Sequence, residues 1–167
     1  MSHSGVRATV ITVSDRASSG VSEDRSGPLA VALLEGAGFT CAAATVVPDG
    51  AASVEGALRA AIVDGARLVV TTGGTGIGPR DLTPEGTAPV LTRQLPGLVE
   101  EIRRLATLET PGGMLSRGLA GVVDGPSGSG ALVVNVSGST AAVRSAVPVV
   151  LAVAPHAIAQ LDGGDHA

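Results

Sequence analysis

Short apolar segments and helical segments alternate three times in the first half of this 167-residue sequence, and that alternation most limits its possible folds. Residues 8–13, 40–47 and 68–72 are apolar or rich in β-branched side chains, which predicts strands. Residues 26–36 and 54–62 carry apolar side chains at helical spacing. Such alternation is typical of βαβ units, so we predict a three-layer α/β/α fold with a mainly parallel sheet.

The second half of the sequence predicts a hairpin and completes a single domain. Residues 119–123 and 132–136 read as apolar strands joined by the Gly/Ser-rich segment 125–130, which should add an antiparallel strand to the sheet. No segment has the composition of a linker between domains. We therefore predict one domain over residues 1–162 and a loose tail over residues 163–167.

Proline and hydroxyl residues mark the expected helix boundaries. Thr83 directly precedes Pro84, and Ser26 lies two residues before Pro28, which favours both as helix N-caps. The last helix should begin near Ser139, and Pro148 and Pro155 should kink or divide it.

The composition excludes several functional classes. The net charge is -4 and Trp and Tyr are absent, so the sequence lacks the basic stripe and the stacking platforms of nucleic-acid-binding proteins. The single Cys41 excludes a disulfide framework, and the longest apolar stretch, residues 147–154, is too short to cross a bilayer. The N-terminus has no apolar signal core. We therefore predict a soluble cytoplasmic protein that binds neither nucleic acid nor membranes.

Polar loops follow the predicted strands at residues 14–15, 48–49, 71–81 and 135–139. In an open α/β sheet, ligands bind beyond the carboxyl ends of the strands. We therefore expect these loops to meet at one crevice, although they lie far apart in the sequence.

The glycine-rich segment 71–85, TTGGTGIGPRDLTPE, is the most distinctive of these loops. Its glycines allow close approach of the backbone to a ligand, and successive N–H groups can form an anion-binding nest. Alternatively, it is a flexible turn before a helix. A P-loop is excluded because Pro79 and Arg80 stand where Lys and Ser or Thr are needed, and a dinucleotide fingerprint would place its last glycine on Pro79.

Asp49 and Asp81 each follow a predicted strand end, so both could face the same crevice. Two carboxylates beside substrate phosphates suit Mg²⁺. Alternatively, Asp49 forms a turn with Gly50, and Asp81 caps the next helix. Asp15 and Asp24 are weaker candidates.

Hydroxyl and basic side chains complete the candidate set. Residues 137–139, Ser-Gly-Ser, could bind a phosphate or simply cap a helix. Arg117, which follows Ser116, could bind an anion or lie at the surface. The histidines are scattered, which argues against a histidine-based metal site: His3, His156 and His166.

Taken together, these motifs resemble the molybdopterin-adenylylating family, which includes the bacterial Mog and MoaB proteins, the plant Cnx G domain and the gephyrin G domain. The matching segments occur in the family's order and cover nearly the whole chain: TVSDRASSG (12–20), SEDRSG (22–27), VPDG (47–50), TTGGTGIGPRDLTPE (71–85), MLSRGLAGV (114–122) and VNVSGST (134–140). Ser137 departs from the pattern, because the family has proline there.

The resemblance implies a three-layer α/β fold, commonly a homotrimer. It also implies transfer of AMP from Mg-ATP to the terminal phosphate of molybdopterin, with release of pyrophosphate, and a molybdenum insertase as the partner that receives the product. By motif, Asp49 and Asp81 match the family's two essential acids, and our hypothesis is that they hold Mg²⁺ or orient the phosphates. The candidate ligand-binding residues are Ser14, Asp15, Thr72, Gly73, Gly74, Thr75, Gly76, Ser116, Arg117, Ser137, Gly138 and Ser139.

Two other functions are compatible with the same residues. One is a binding module of this fold that carries molybdopterin and does not consume ATP. The other is a nucleotide hydrolase resembling competence-damage proteins, which usually carry a further domain.

Overall fold

The structure, a computed structural model, describes residues 5–126 and 129–164. Within these residues the strands are β1 (Arg7–Val13), β2 (Thr40–Cys41), β3 (Thr45–Val47), β4 (Leu68–Thr72), β5 (Arg93–Gln94), β6 (Ala120–Val123) and β7 (Ala131–Val136). The helices are α1 (Asp15–Ser18), α2 (Ser26–Gly36), α3 (Ala51–Val63), α4 (Thr83–Thr87), α5 (Pro96–Glu109) and α6 (Thr140–Leu161), and a 3₁₀ helix covers Pro111–Leu115. Parts of three predictions lie outside the described residues: His3 and His166, residues 127–128 of the hairpin loop, and residues 165–167 of the tail.

One mixed sheet contains all the described strands. Its order is β2-β1-β4-β7-β6-β5, and β3 also pairs with β1. Strands β1, β2, β3, β4 and β7 run parallel, whereas β5 and β6 are antiparallel to their neighbours. The predicted parallel sheet with an antiparallel hairpin is therefore confirmed. Because β6 runs against β7, β6 begins at the edge where β4 and β7 end.

Helices cover both faces of the sheet. Alternate residues of β4 point to opposite faces: Leu68 and Val70 pack in the cluster that includes α2, α5 and α6, whereas Val69 packs with residues of α3. Strand β7 divides in the same way, with Val134 on the first face and Val133 on the second. The predicted three-layer α/β/α fold is confirmed.

The segment predicted as one strand over residues 40–47 is two short strands. Ala8 of β1 pairs with Cys41, and Ile11 pairs with Thr45. The chain between β2 and β3 therefore contains one residue more than the stretch of β1 that it faces. The extra residue falls in the alanine run 42–44, which interrupts the ladder, because alanine has low strand propensity.

Helix α6 is continuous over Thr140–Leu161, so of the predicted kink or division at Pro148 and Pro155 the division was wrong. Pro148 is exposed and Pro155 is half-buried, so neither lies on the buried stripe of the helix that includes Val147 and Ala154. Burial of that stripe outweighs the hydrogen bonds that proline removes on the outer side. The 22-residue helix has the length and hydropathy of a membrane span, yet it packs against α2, α5 and β7 within the core.

The two predicted N-caps were also wrong. Ser26 lies inside α2, and the carboxylate of Asp24 accepts the hydrogen bond from the N–H of Gly27 at 2.9 Å instead. Thr83 is the first residue of α4, and its hydroxyl donates to the carbonyl oxygen of Gly73 at 2.9 Å. The hydroxyl of Ser26 shares a hydrogen bond of 2.9 Å with that of Thr72. The side chains of Ser26 and Thr83 therefore connect different segments of the chain, which capping statistics cannot predict.

Candidate functional site

The four predicted polar loops meet at the edge of the sheet where the parallel strands end. The N–H of Ser14 donates to the carbonyl of Val47 at 2.9 Å, which joins the loops after β1 and β3. The N–H of Gly73 donates to Val136 at 2.9 Å, which joins the loops after β4 and β7. The start of β6 joins the same edge, because the N–H of Arg117 donates to the glycine-rich loop.

The loop after β4 depends on glycine at two positions. Gly73 and Gly74 have φ angles of +98° and +65°. A Cβ at Gly73 would lie 2.3 Å from the carbonyl oxygen of Val13, and one at Gly74 would lie 2.2 Å from the hydroxyl of Thr83. Among the described residues, no protein acceptor binds the N–H groups of residues 74–77. Consecutive unpaired N–H groups are the donors that an anion nest requires.

Two cavities open on this edge, and they share Gly138. One has a volume of about 300 Å³ and is lined by the glycine-rich loop, Asp81, Ser116 and Ser137. The other, of about 340 Å³, lies on the α2 side of the same loop, and Thr72 is among its lining residues. Both cavities adjoin the N-terminus of α6, whose helix dipole favours negative charge.

Asp81 belongs to the first cavity. Its Oδ2 accepts a hydrogen bond from the N–H of Gly78 at 2.9 Å, and its own N–H donates to the carbonyl of Gly78 at 3.0 Å. A Cβ at Gly76 would lie 2.8 Å from this carboxylate oxygen, so glycine makes room for the acid. Asp81 does not cap α4, so the alternative that it is a helix cap is excluded.

Asp49 approaches the same loop from the other side. Its Oδ2 accepts from the N–H of Asp15 at 2.8 Å, while its own N–H donates to the carboxylate of Asp15 at 3.0 Å. Its Oδ1 lies 3.2 Å from the position that a Cβ of Gly74 would occupy. Arg80 donates to both carboxylate oxygens of Asp15 at 3.0 Å and to the carbonyl of Asp49 at 2.8 Å. The hydrogen bonds from Arg80 lower the pKa of Asp15 below its usual value.

Arg117 contacts the Asp81 side of the loop. Its guanidinium donates to the carbonyls of Gly76 at 2.8 Å and Asp81 at 2.6 Å, and it forms an ion pair with Glu85. This ion pair lowers the pKa of Glu85 and raises that of Arg117. The predicted anion-binding side chain is therefore bound to protein groups.

The predicted hydroxyl groups fall into two sets. Thr75 and Ser137 share a hydrogen bond of 3.0 Å across the first cavity, and Ser116 lies 3.5 Å from Ser137. Ser14 and Ser139 instead cap helices, because their side chains accept N–H groups of α1 and α6 at 3.1 and 3.0 Å. The capping alternative stated for residues 137–139 therefore holds for Ser139, whereas Ser137 joins the cavity.

Each of the two candidate acids keeps a carboxylate oxygen that a cation bound to substrate phosphates could use. Neither Asp49 nor Asp81 forms a salt bridge within residues 5–126 and 129–164, and each carboxylate has one oxygen with no donor there. The same residues contain no cluster of three or more His, Cys, Asp or Glu side chains. Mg²⁺ needs few carboxylates when phosphates and water supply the other ligands.

Sequence reasoning missed the contacts of two residues that build the crevice, Arg80 and Asn135, and it gave Asp24 only as a weaker candidate. In the sequence Arg80 is only a mismatch to the P-loop pattern, whereas in the structure it donates to the carboxylate of Asp15. Asp24 accepts from the buried hydroxyl of Thr12 at 2.7 Å and lines the second cavity. Asn135 lies inside β7 and donates to Thr71 and Thr87, both at 3.0 Å. A buried amide in an apolar strand is the one signal that could have been used, since it must find partners.

Known proteins resemble this chain over most of its length. The family described as "Probable molybdopterin binding domain" matches residues 9–156. A molybdenum cofactor biosynthesis bifunctional protein of Synechococcus elongatus is 42% identical over 97% of this chain and 49% of its own length. A molybdopterin adenylyltransferase of Pyrococcus furiosus is 38% identical over 84% of this chain and 82% of its own. The chain thus spans about half the length of the first of these relatives.

A solved structure also resembles this chain over nearly its whole length. The crystal structure of a molybdopterin biosynthesis protein from Mycobacterium abscessus has a TM-score of 0.85 and 41% identity, and the match covers 94% of this chain and 96% of that one.

Proposed function

Because the chain belongs to the molybdopterin-binding domain family, we propose that it is a molybdopterin adenylyltransferase. It is a protein of molybdenum-cofactor biosynthesis of the Mog and MoaB type. The proposed reaction transfers AMP from Mg-ATP to the terminal phosphate of molybdopterin and releases pyrophosphate.

The observation that carries this proposal is the pair of cavities that meet at Gly138. A reaction between two anionic substrates needs two adjoining sites with donors between them. The cavities of about 340 and 300 Å³ adjoin at the start of α6, and residues 74–76, whose N–H groups have no protein acceptor, line the cavity of about 300 Å³. The geometry therefore suits two phosphate-bearing ligands better than one.

The chemistry requires no protein nucleophile. An oxygen of the molybdopterin phosphate bonds to the α-phosphorus of ATP, and the bond from that phosphorus to the oxygen bridging to the β-phosphate breaks. The electron pair leaves with pyrophosphate. The main barriers are repulsion and orientation, which backbone donors can reduce. Asp49 and Asp81 would hold Mg²⁺, which supplies positive charge beside the phosphates when bound.

We also propose that the protein acts in the cytoplasm, as a homotrimer, and that a molybdenum insertase receives its product. The roles of Ser14, Asp15, Thr72, Ser116 and the loops at 73–76 and 137–139 in ligand binding are part of the same proposal.

A pyrophosphate-release assay with molybdopterin, ATP and Mg²⁺ tests the reaction. We expect pyrophosphate and adenylylated molybdopterin in equal amounts, and no product when either substrate or Mg²⁺ is omitted. Tight molybdopterin binding without pyrophosphate release would instead identify a carrier. Pyrophosphate or phosphate formed from ATP alone would identify a nucleotide hydrolase.

A further inference from the structure

The guanidinium of Arg117 forms hydrogen bonds with the loop that carries Asp81. Its Nε donates to the carbonyl of Gly76 at 2.8 Å, and its Nη2 donates to the carbonyl of Asp81 at 2.6 Å. Its main-chain N–H donates to the carbonyl of Thr75 at 2.8 Å. Arg103 donates weakly to the carbonyls on either side of Arg117, at 3.4 and 3.2 Å, so the arginine's own backbone is held as well.

These contacts close the turn from Gly76 to Asp81 at its two ends. Inside the turn, Gly78 and Asp81 are already joined by two hydrogen bonds of 2.9 and 3.0 Å. A single planar guanidinium can bridge both end carbonyls, because its donors have a fixed geometry. The position of the Asp81 carboxylate therefore depends on Arg117, although the two side chains form no salt bridge.

Glu85 neutralises Arg117, so the arginine can lie beside Asp81 without neutralising the Asp81 carboxylate. It balances the charge of Arg117 through the ion pair, and the side chains of the two residues are 44% and 38% exposed. The arginine thus binds the main chain of Asp81 and leaves the carboxylate charge of that residue for a ligand. If Arg117 were to bind a substrate phosphate, it would have to leave Glu85 and both carbonyls.

We propose that Arg117, held by Glu85, is a positioning residue that fixes the Gly76–Asp81 turn so that the Asp81 carboxylate stays at the cavity. This proposal rests on the proposed adenylyl transfer for its effect on rate, but its structural part can be measured without activity.

The experiment compares R117K, E85Q and the control R104K. Lysine keeps the charge but cannot span two carbonyls and a carboxylate. Arg104 and Glu101 form another two-bond ion pair on the exposed part of α5, so R104K is a matched change away from the site. Amide hydrogen exchange at Gly78 and Asp81, the melting temperature, and kcat and KM for ATP are measured for each variant.

We expect R117K to lower amide protection in the turn about tenfold, because the local structure opens more easily. Its kcat should fall about 10- to 100-fold, since a displacement of about 1 Å is enough for such a loss. KM for ATP should change less than about threefold, because binding by the other loops is retained. E85Q should show a smaller change in the same direction, and R104K should match the wild type.

Unchanged protection at Gly78 in R117K overturns the proposal. So does a raised KM with protection intact, which identifies Arg117 as a direct anion ligand. If R117K unfolds, E85Q decides, because it removes the charge and one of the two acceptor oxygens while keeping the size of the side chain and the arginine itself. If the wild type releases no pyrophosphate while R117K still loses protection, adenylyl transfer fails and the positioning of the turn stands.

Discussion

Asp49 and Asp81 reach the glycine-rich loop from two sides, and the protein holds them differently. Asp81 lines the cavity of about 300 Å³, and its carboxylate is bonded only to the adjacent turn. Asp49 lines neither of the two cavities that meet at Gly138, and its carboxylate is tied to the backbone of Asp15.

The backbone of both acids is nevertheless held by the same kind of contact, a hydrogen bond from an arginine. In each case an arginine binds the main-chain carbonyl of the aspartate and is neutralised by another acid: Arg80 with Asp15, and Arg117 with Glu85. The difference lies in the backbone. Asp49 lies two residues after β3, so the sheet fixes the position of its backbone. Asp81 instead lies in a turn, outside any strand or helix. Its position therefore depends more on side-chain contacts.

The largest effects should come from neutralising the two acids. We expect D81N to lower turnover about 100- to 1,000-fold, the usual cost of removing one electrostatic contributor from an active site. D49N should lose less, because its carboxylate lies outside the cavity lining and asparagine can still accept from Asp15. The control is D64N, an exposed acid at the C-terminus of α3.

Steady-state pyrophosphate release measures all three variants. A D49N enzyme that is as impaired as D81N would show that both acids act equally on the substrates. Normal turnover in D81N would remove Asp81 from the proposed mechanism.

Replacing Gly76, beside Asp81, or Gly74, beside Asp49, with alanine should affect turnover in one case and stability in the other. In G76A the new Cβ would press on the Asp81 carboxylate, 2.8 Å away, so turnover should fall about tenfold while the fold is retained. G74A combines a φ of +65° with a contact of 2.2 Å to Thr83, so it should destabilise the protein by about 1–3 kcal/mol.

Urea unfolding and turnover distinguish the two outcomes, with G56A as the control because no atom lies within 4 Å of a Cβ there. A stable G74A or a fully active G76A contradicts the crowding described at these glycines.

The smallest effect should be the response to acid. Arg80 lowers the pKa of Asp15, and Arg117 lowers that of Glu85. A carboxylate whose pKa is lower in the folded state than in the unfolded state stabilises the protein at pH values above its unfolded pKa of about 4. This stabilisation is lost as the pH falls through the folded-state pKa. The melting temperature should therefore fall between about pH 5 and pH 3, and less steeply in D15N and E85Q.

Thermal melts at several pH values test this directly. Both pairs are exposed, so salt should also weaken the difference. Identical pH slopes in the wild type and both variants would contradict a contribution from either ion pair.

The sequence was sufficient to predict the layers of the fold and the edge where the loops meet. Strand ends such as Val13, Thr72 and Val136 are visible as ends of apolar runs, and a parallel sheet must bring them to one side. The contacts of Arg80 and Arg117 were not predictable, because they join residues 65 and 36 positions apart. Whether an arginine binds a substrate or a carbonyl depends on tertiary distances that spacing does not encode.

The errors in the helices have a similar cause. Pro148 and Pro155 predict an interruption when only local hydrogen bonds are considered. Because both prolines lie away from the buried stripe, burial of the stripe outweighs that penalty, and the stripe is defined only once α2, α5 and β7 surround it.

Helix α6 also has a consequence for how the chain is made. It is synthesised after β7, yet it packs against α2 and α5, and its first residue, Thr140, lines the cavity of about 340 Å³. Until residues 140–161 leave the ribosome, the nascent chain exposes the apolar surfaces that this helix covers, and such surfaces attract chaperones or cause aggregation. A stop codon early in α6 should therefore give insoluble protein rather than a shortened domain with weak activity.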